Sequence, residues 1–231
     1  MNELPRIPTT SLVGPTALAF SALYLLSDVI EAIQGGFSDS QLWLTLVAEA
    51  AIPIFVIGLY MVQRPQIGRL GRLTAVAYAY SYVFFTGTVV YALIDATSSY
   101  KALADDLQPW MTIHGAIMVF AGLGFGVAVI RARVLPRWTA VALMAGVVLV
   151  SLSQNLPEGP QLLAAGIRDL GFAGMGAALL RPGAVSGLPT AAESPSAIGN
   201  VPARWPVRRG AARPEAAPYD VAARSAPIEH P

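Results

Sequence analysis

Six stretches of mostly apolar residues, separated by short polar connections, decide what this chain can fold into. They run from about Ser11 to Ile33, Gln41 to Val62, Leu73 to Ile94, Trp110 to Ile130, Trp138 to Ser153 and Gln161 to Leu180. A helix that crosses a bilayer needs about 20 such residues, and only the fifth stretch is clearly short. Only 13% of the residues are charged and 55% are hydrophobic, against about 25% charged in soluble domains. The expected architecture is all-α: a polytopic six-transmembrane-helix bundle, multi-pass in a bacterial plasma (inner) membrane. The first stretch reads as a span and not as a cleaved signal peptide. Its apolar run continues through Leu25 and Leu26, well past the small residues Ala17 and Ala19.

Charge sets the expected orientation. The connection from Gln63 to Arg72 holds Arg64, Arg69 and Arg72 with no acid, and that from Arg131 to Arg137 holds Arg131, Arg133 and Arg137 with no acid. The others carry Asp39, then Asp95, Lys101, Asp105 and Asp106, then Glu158. Arginine-rich connections stay in the cytoplasm, so six spans leave both termini cytoplasmic. Trp43, Trp110 and Trp138 stand at span ends, where indole rings anchor at the headgroups. Residues 1–10 are then a cytoplasmic N-terminal segment and residues 11–180 the membrane domain. Residues 181–231, rich in Ala, Pro and Arg, form a disordered, solvated cytoplasmic tail, with Arg204, Arg208, Arg209 and Arg213 available to anionic lipid.

Several chemistries are excluded by residue type. With no cysteine, disulfides, thiol catalysis and iron–sulfur clusters fall away. Lys101, the only lysine, lies outside the apolar stretches, so no Schiff base forms within the bilayer. His114 and His230 are the only histidines, too few and too far apart for a bis-histidine haem. No cofactor and no metal are expected. A net charge of +1 offers no field for nucleic acid.

The sequence also contains a short repeat. Arg72-Leu-Thr-Ala-Val-Ala77 returns as Arg137-Trp-Thr-Ala-Val-Ala142, and Trp43-Leu-Thr45 resembles Trp110-Met-Thr112. A duplication of this kind predicts two hairpins packed alike about a common centre. Gly122, Gly124 and Gly126 on the fourth span, with Gly171, Gly174 and Gly176 on the sixth, predict close packing of those two spans.

Ionisable side chains inside spans are costly and usually face a bundle interior or a wet cavity. Here they are Asp28 and Glu31, Glu49, His114, and Arg168 with Asp169. At 1.5 Å per residue, Glu49 and Asp169 lie roughly 12 Å below the outer face and His114 roughly 6 Å. The inner half is nearly free of charge. Ser21, Tyr24, Asp28 and Glu31 form one helical stripe. Thr45 and Glu49 form another, and Pro53 removes the backbone donor that would bond the Glu49 carbonyl, so a kink is expected there. Tyr24, Tyr78, Tyr82 and Phe85 are candidate pocket walls for a flat lipophilic ligand. Structural pairing is the plainer alternative: Arg168 would bind Glu49 or Asp28 and hold helices together.

The pattern Arg131-Ala-Arg-Val-Leu-Pro-Arg-Trp138, followed by an apolar helix, resembles a recurring element of uncharacterised bacterial six-helix membrane proteins. The lysine-poor, Ala- and Arg-rich composition resembles actinobacterial sequences. The resemblance covers residues 1–180 and implies fold and location, with no activity and no site residue.

Three functions fit these features. The favoured one is binding or transport of a small lipophilic or cationic molecule, or a proton, in an outer-side acidic cavity. The second is a membrane enzyme, with Glu49 or Asp169 as general acid and His114 or another carboxylate as base. The third is an accessory protein whose glycine faces bind a membrane partner protein or a second copy of the chain.

Overall fold

A computed structural model describes residues 9–154 and 156–181. The N-terminal residues 1–8, Asn155 and the tail from 182 onward lie outside the described residues. The secondary structure is entirely helical among the described residues. The helices are α1 (Thr9–Gln34), α2 (Asp39–Val62), α3 (Gly68–Ile94), α4 (Tyr100–Asp106), α5 (Trp110–Ala132), α6 (Arg137–Ser153) and α7 (Glu158–Leu179). Five of them, α1, α2, α3, α5 and α7, are long and apolar enough to cross a membrane. The fifth apolar stretch, α6, has 17 residues. It therefore rises about 25 Å. The seven-residue α4, between α3 and α5, was not expected from the apolar pattern; it is too short and polar to register there.

The helix starts follow local chemistry. Ser38 caps α2 from an extended conformation, its hydroxyl accepting from the Gln41 amide at 3.4 Å, and Asp39 sits in the positive first turn. Ser99 caps α4 in the same way through the Ala102 amide at 3.3 Å. Arg133 ends α5 in a left-handed conformation, φ 56°, and Pro136 then precedes α6.

The long helices and α6 pack in a ring in chain order, α1–α2–α3–α5–α6–α7, and α7 closes on α1. Successive helices alternate in direction. One end of the ring therefore carries the arginine-rich connections 63–67 and 133–136. The other carries the connections 35–38, 95–109 and 154–157. The arginine-end half is filled by an apolar core. Phe55 and Phe172 meet edge to face at 5.1 Å, and around them lie Val56, Leu59, Phe125 and Leu143. The outer surface is apolar, with Ile54, Leu73 and Phe120 all more than two-thirds exposed. Such a belt fits a lipid bilayer. In lipid, association of helices comes from close packing and not from removing apolar surface from water, which is why small residues gather at the seams.

The expected seam between the fourth and sixth spans is absent: α6 lies between α5 and α7. Gly122 faces Tyr78 and Val147, and Gly126 faces Met144 of α6. Gly171 and Gly174 face Leu143, Thr139 and Trp138 of α6 from the other side. Gly176 meets the Gly14 backbone and closes the ring onto α1. Glycine marks a close approach but does not name the helix that approaches.

The repeated motif packs alike at its two occurrences. A Cβ on Gly124 of α5 would lie 2.5 Å from the Thr74 methyl of α3, and one on Gly174 of α7 would lie 2.8 Å from the Thr139 methyl of α6. Both threonines hold their hydroxyls on a carbonyl of their own helix, Leu70 and Pro136, at 2.8 and 2.7 Å, leaving the methyl for the next helix's glycine. Thr74 and Thr139 are the equivalent residues of the two motifs.

Candidate functional site

The end of the ring opposite the arginines holds a cavity of about 170 Å³. Helices α1, α2, α3, α6 and α7 wall it, and Tyr100 and Leu103 of α4 lie over its mouth. Leu103 is buried against Leu42, Val89 and Ala92 and pins α4 in place. A bond from the Phe37 amide to the Ser98 carbonyl, 3.0 Å, ties the α1–α2 connection to the segment leading into α4. Partial burial of the ring, reinforced by the nearby carboxylates of Glu49 and Glu31, pushes the Tyr100 phenol up to about 12. Tyr100 thus stays an uncharged donor at the mouth at any physiological pH. Leu103→Ala is expected to cost about 2–5 kcal/mol of local stability. Amide exchange should speed up in α4 and stay unchanged in the ring helices. Unchanged exchange in α4 would mean that another contact anchors it.

The deep wall is built from helix spacing. Tyr24 and Asp28 are one turn apart on α1, and Glu49 lies about 15 Å along α2 from its start. The Tyr24 hydroxyl donates to Glu49 Oε1 at 2.7 Å. The Arg168 guanidinium lies over the Tyr24 ring, 4.5 Å from its centre. Its Nε donates to Asp169 Oδ1 at 3.0 Å, and its Nη2 stands 3.9 Å from Asp28 Oδ2. That last separation is too long for a hydrogen bond but close enough for attraction. Gly146 of α6 faces the backbone of Arg168 directly, and no side chain fits between them. The close approach of α6 to α7 thus fixes where the arginine begins.

Nearer the mouth, Gln41 organises a second network. Its Nε2 lies within hydrogen-bond distance of Glu31 Oε2 (3.2 Å), Ser27 Oγ (3.2 Å) and Thr45 Oγ1 (3.0 Å). The hydroxyls of Ser27 and Thr45 also share a short bond. Yet four buried polar atoms around the cavity have no hydrogen-bond partner in the protein: Asp28 Oδ2, Gln41 Oε1, Glu49 Oε2 and Arg168 Nη2. Leaving such a group unmet costs about 1–3 kcal/mol, more for a charged one.

Compared with family models, curated proteins and solved structures, the chain matches none. What it does must be argued from the site itself.

The structure brings Tyr24, Asp28, Glu31, Glu49, Phe85 and Arg168 to one cavity wall. Asp169 stands behind Arg168 and reaches the cavity only through it. Tyr78 and Tyr82, expected in the same wall as Phe85, are instead packed in the core, edge to face at 5.2 Å, with Tyr78 also against Phe172. They lie one and two turns deeper on α3, below the cavity floor. His114 stands apart. Its Nδ1 meets the Trp110 carbonyl at 2.9 Å, its Nε2 meets the Tyr80 hydroxyl at 3.1 Å, and its ring stacks on Phe84 at 3.7 Å. That seam of α3 and α5 is outside the cavity, and α5 contributes nothing to the lining. Helix α2 runs unbroken through Pro53. Because proline has no N–H, the Glu49 carbonyl still lacks its donor four residues on.

Gln41, Ser27, Tyr100 and Gly146 were not singled out in the sequence. Gln41 extends the Thr45–Glu49 stripe by one turn, so the same spacing that marks Glu49 also points to it. Tyr100 and Gly146 carry no such signal.

Proposed function

We propose that the chain is a six-span protein of a bacterial plasma membrane, with both termini cytoplasmic. In this reading it binds or transports a small molecule or a proton, taken up in the acidic cavity from the outer side. The six-span count is supported by α6 filling one place in the closed ring. The orientation is supported by Arg64, Arg69, Arg72, Arg131 and Arg137, which belong to the end opposite the cavity. The observation that carries the functional reading is that four residues lining one cavity, Asp28, Gln41, Glu49 and Arg168, each keep a buried polar atom without a hydrogen-bond partner. Arg168 Nη2 and Asp28 Oδ2 attract each other at 3.9 Å, but Gln41 Oε1 and Glu49 Oε2 have no hydrogen-bond partner in the protein, unlike the members of a self-paired structural network.

The enzyme reading loses one of its two candidate bases, His114, which lies off the cavity, and keeps the other, a second carboxylate beside Glu49. The accessory reading loses its glycine faces, which are consumed within the ring.

The test compares wild type with Glu49→Gln. If Glu49 is kept for function, the neutral isostere should be as stable as wild type or more so, because a buried carboxylate with one protein partner is kept at a stability cost. Proton flux into liposomes, read with a dye in the lumen, should fall in the same variant. A marked loss of stability together with unchanged flux would make Glu49 a structural residue and remove the basis for transport.

A further inference from the structure

We infer that the cavity selects a small organic cation, a protonated alkylamine, held by the carboxylates of Glu49 and Asp28 with its carbon chain against the apolar part of the wall. This rests on the cavity-binding reading and names the class of ligand.

The unmet groups set the polarity of the ligand. Three of the four unpartnered atoms are acceptors, Asp28 Oδ2, Gln41 Oε1 and Glu49 Oε2. Glu49 and Gln41 are only 5% and 1% exposed, so their free oxygens have little access to bulk water. The one unmet donor, Arg168 Nη2, already stands beside Asp28. Among these unpartnered atoms acceptors outnumber donors three to one, and a ligand that brings donors meets most of them. An ammonium group brings three.

Charge points the same way. Asp28, Glu31 and Glu49 line the cavity against the single cation Arg168. That cation is shared with Asp169 behind the wall. An anion would enter a region where carboxylates outnumber the guanidinium. A neutral hydrocarbon would leave the acceptors unmet and exclude water from them. A bare metal ion lacks a site: among the described residues no group of three or more His, Asp or Glu side chains is placed to hold one.

The remaining lining makes the cation organic. Phe37, Leu42, Phe85, Val89 and Leu103 form apolar surface beside the acceptors. An aromatic ring in such a wall attracts a cation that sits over its face. At about 170 Å³ the space is close to the ~150 Å³ cavity that admits benzene, which limits the ligand to roughly six to eight non-hydrogen atoms. Below it, the packed rings of Phe55, Tyr78, Tyr82 and Phe172 close the path toward the arginine end. The ligand thus enters and leaves this conformation by the mouth under α4.

The test uses the full chain in lipid nanodiscs and reads the melting temperature during titration with propylammonium chloride. Sodium propionate, 1-propanol and sodium chloride serve as matched solutes. Propylammonium should raise the melting temperature in a saturable way that the others do not match. Glu49→Gln should weaken the apparent affinity by about tenfold or more. His114→Gln, outside the cavity, should leave it unchanged. Asp28→Asn provides a second cavity variant should Glu49→Gln fold poorly. If propionate or propanol stabilises as well as propylammonium, the cation assignment falls while the binding cavity stands. If no solute stabilises, the cavity reading falls as well. If propylammonium binds equally to the Glu49 and Asp28 variants, its site is elsewhere and the inference is overturned.

Discussion

Arg168→Ala is expected to lower the stability of the folded bundle by about 3–5 kcal/mol. The side chain is 4% exposed and sits among Asp169, Asp28 and the Tyr24 ring. Removing it leaves two carboxylates, at 3.0 and 3.9 Å from its nitrogens, without the charge that makes their burial tolerable. Most of the loss would be that stranded charge and not the worth of the pair itself. The double variant Arg168→Ala with Asp169→Asn should therefore recover part of the loss, because it removes a charge of each sign. The difference between the double variant and the sum of the single ones measures the coupling. Unfolding free energies from denaturant titration in mild detergent give all four corners of the cycle. A loss below about 1 kcal/mol for Arg168→Ala, the size of an exposed pair, would mean that water reaches this site and screens it.

Helix ends were legible because the signal is local, although α3 starts at Gly68, five residues before the expected Leu73. An apolar run either reaches the length of a bilayer or does not, and the ends at Gln34, Val62 and Ile94 fall within one residue of the expected ones. The acidic wall was legible for a related reason. A carboxylate in an apolar helix must face inward, and stripes such as Tyr24–Asp28–Glu31 fix which face that is. Partner identity was not legible. Gly171 announces a close contact, but only the ring order tells that Leu143 makes it. His114 fails the same way: an inward-facing polar residue is expected at a cavity, but Tyr80 and the Trp110 carbonyl satisfy it within its own seam. Tyr78 and Tyr82 share the face of Phe85 but not its depth, and a cavity that occupies only half the bundle separates them. The repeat added what periodicity could not. Equivalent threonines predict equivalent neighbours, and both find a glycine on the next helix of the ring.

Gly146→Val should be as disruptive as the loss of Arg168, and for a connected reason. A Cβ at Gly146 would overlap the Arg168 amide nitrogen, Cα and Cβ of the facing helix. Two of those atoms are backbone, so no rotamer change relieves the clash, and α6 and α7 must separate. Overpacking of this kind costs about 1–3 kcal/mol, with the branched valine at or beyond the upper end. Separation also moves the guanidinium away from Tyr24 and Asp28, so the variant should lose propylammonium binding along with stability. Gly115→Ala is the informative contrast. Gly115 lies inside α5, and a Cβ there meets nothing within 4 Å. Relief of glycine's backbone entropy should make that variant more stable by about 0.5–1 kcal/mol. The two positions are both helical glycines in apolar segments, and propensity alone would give them the same sign. Opposite signs in melting temperature would show that the α6–α7 approach, and not helix formation, is what Gly146 serves. If Gly146→Val is tolerated with binding intact, the arginine is held in place by its carboxylate partners and not by the fit of the two helices.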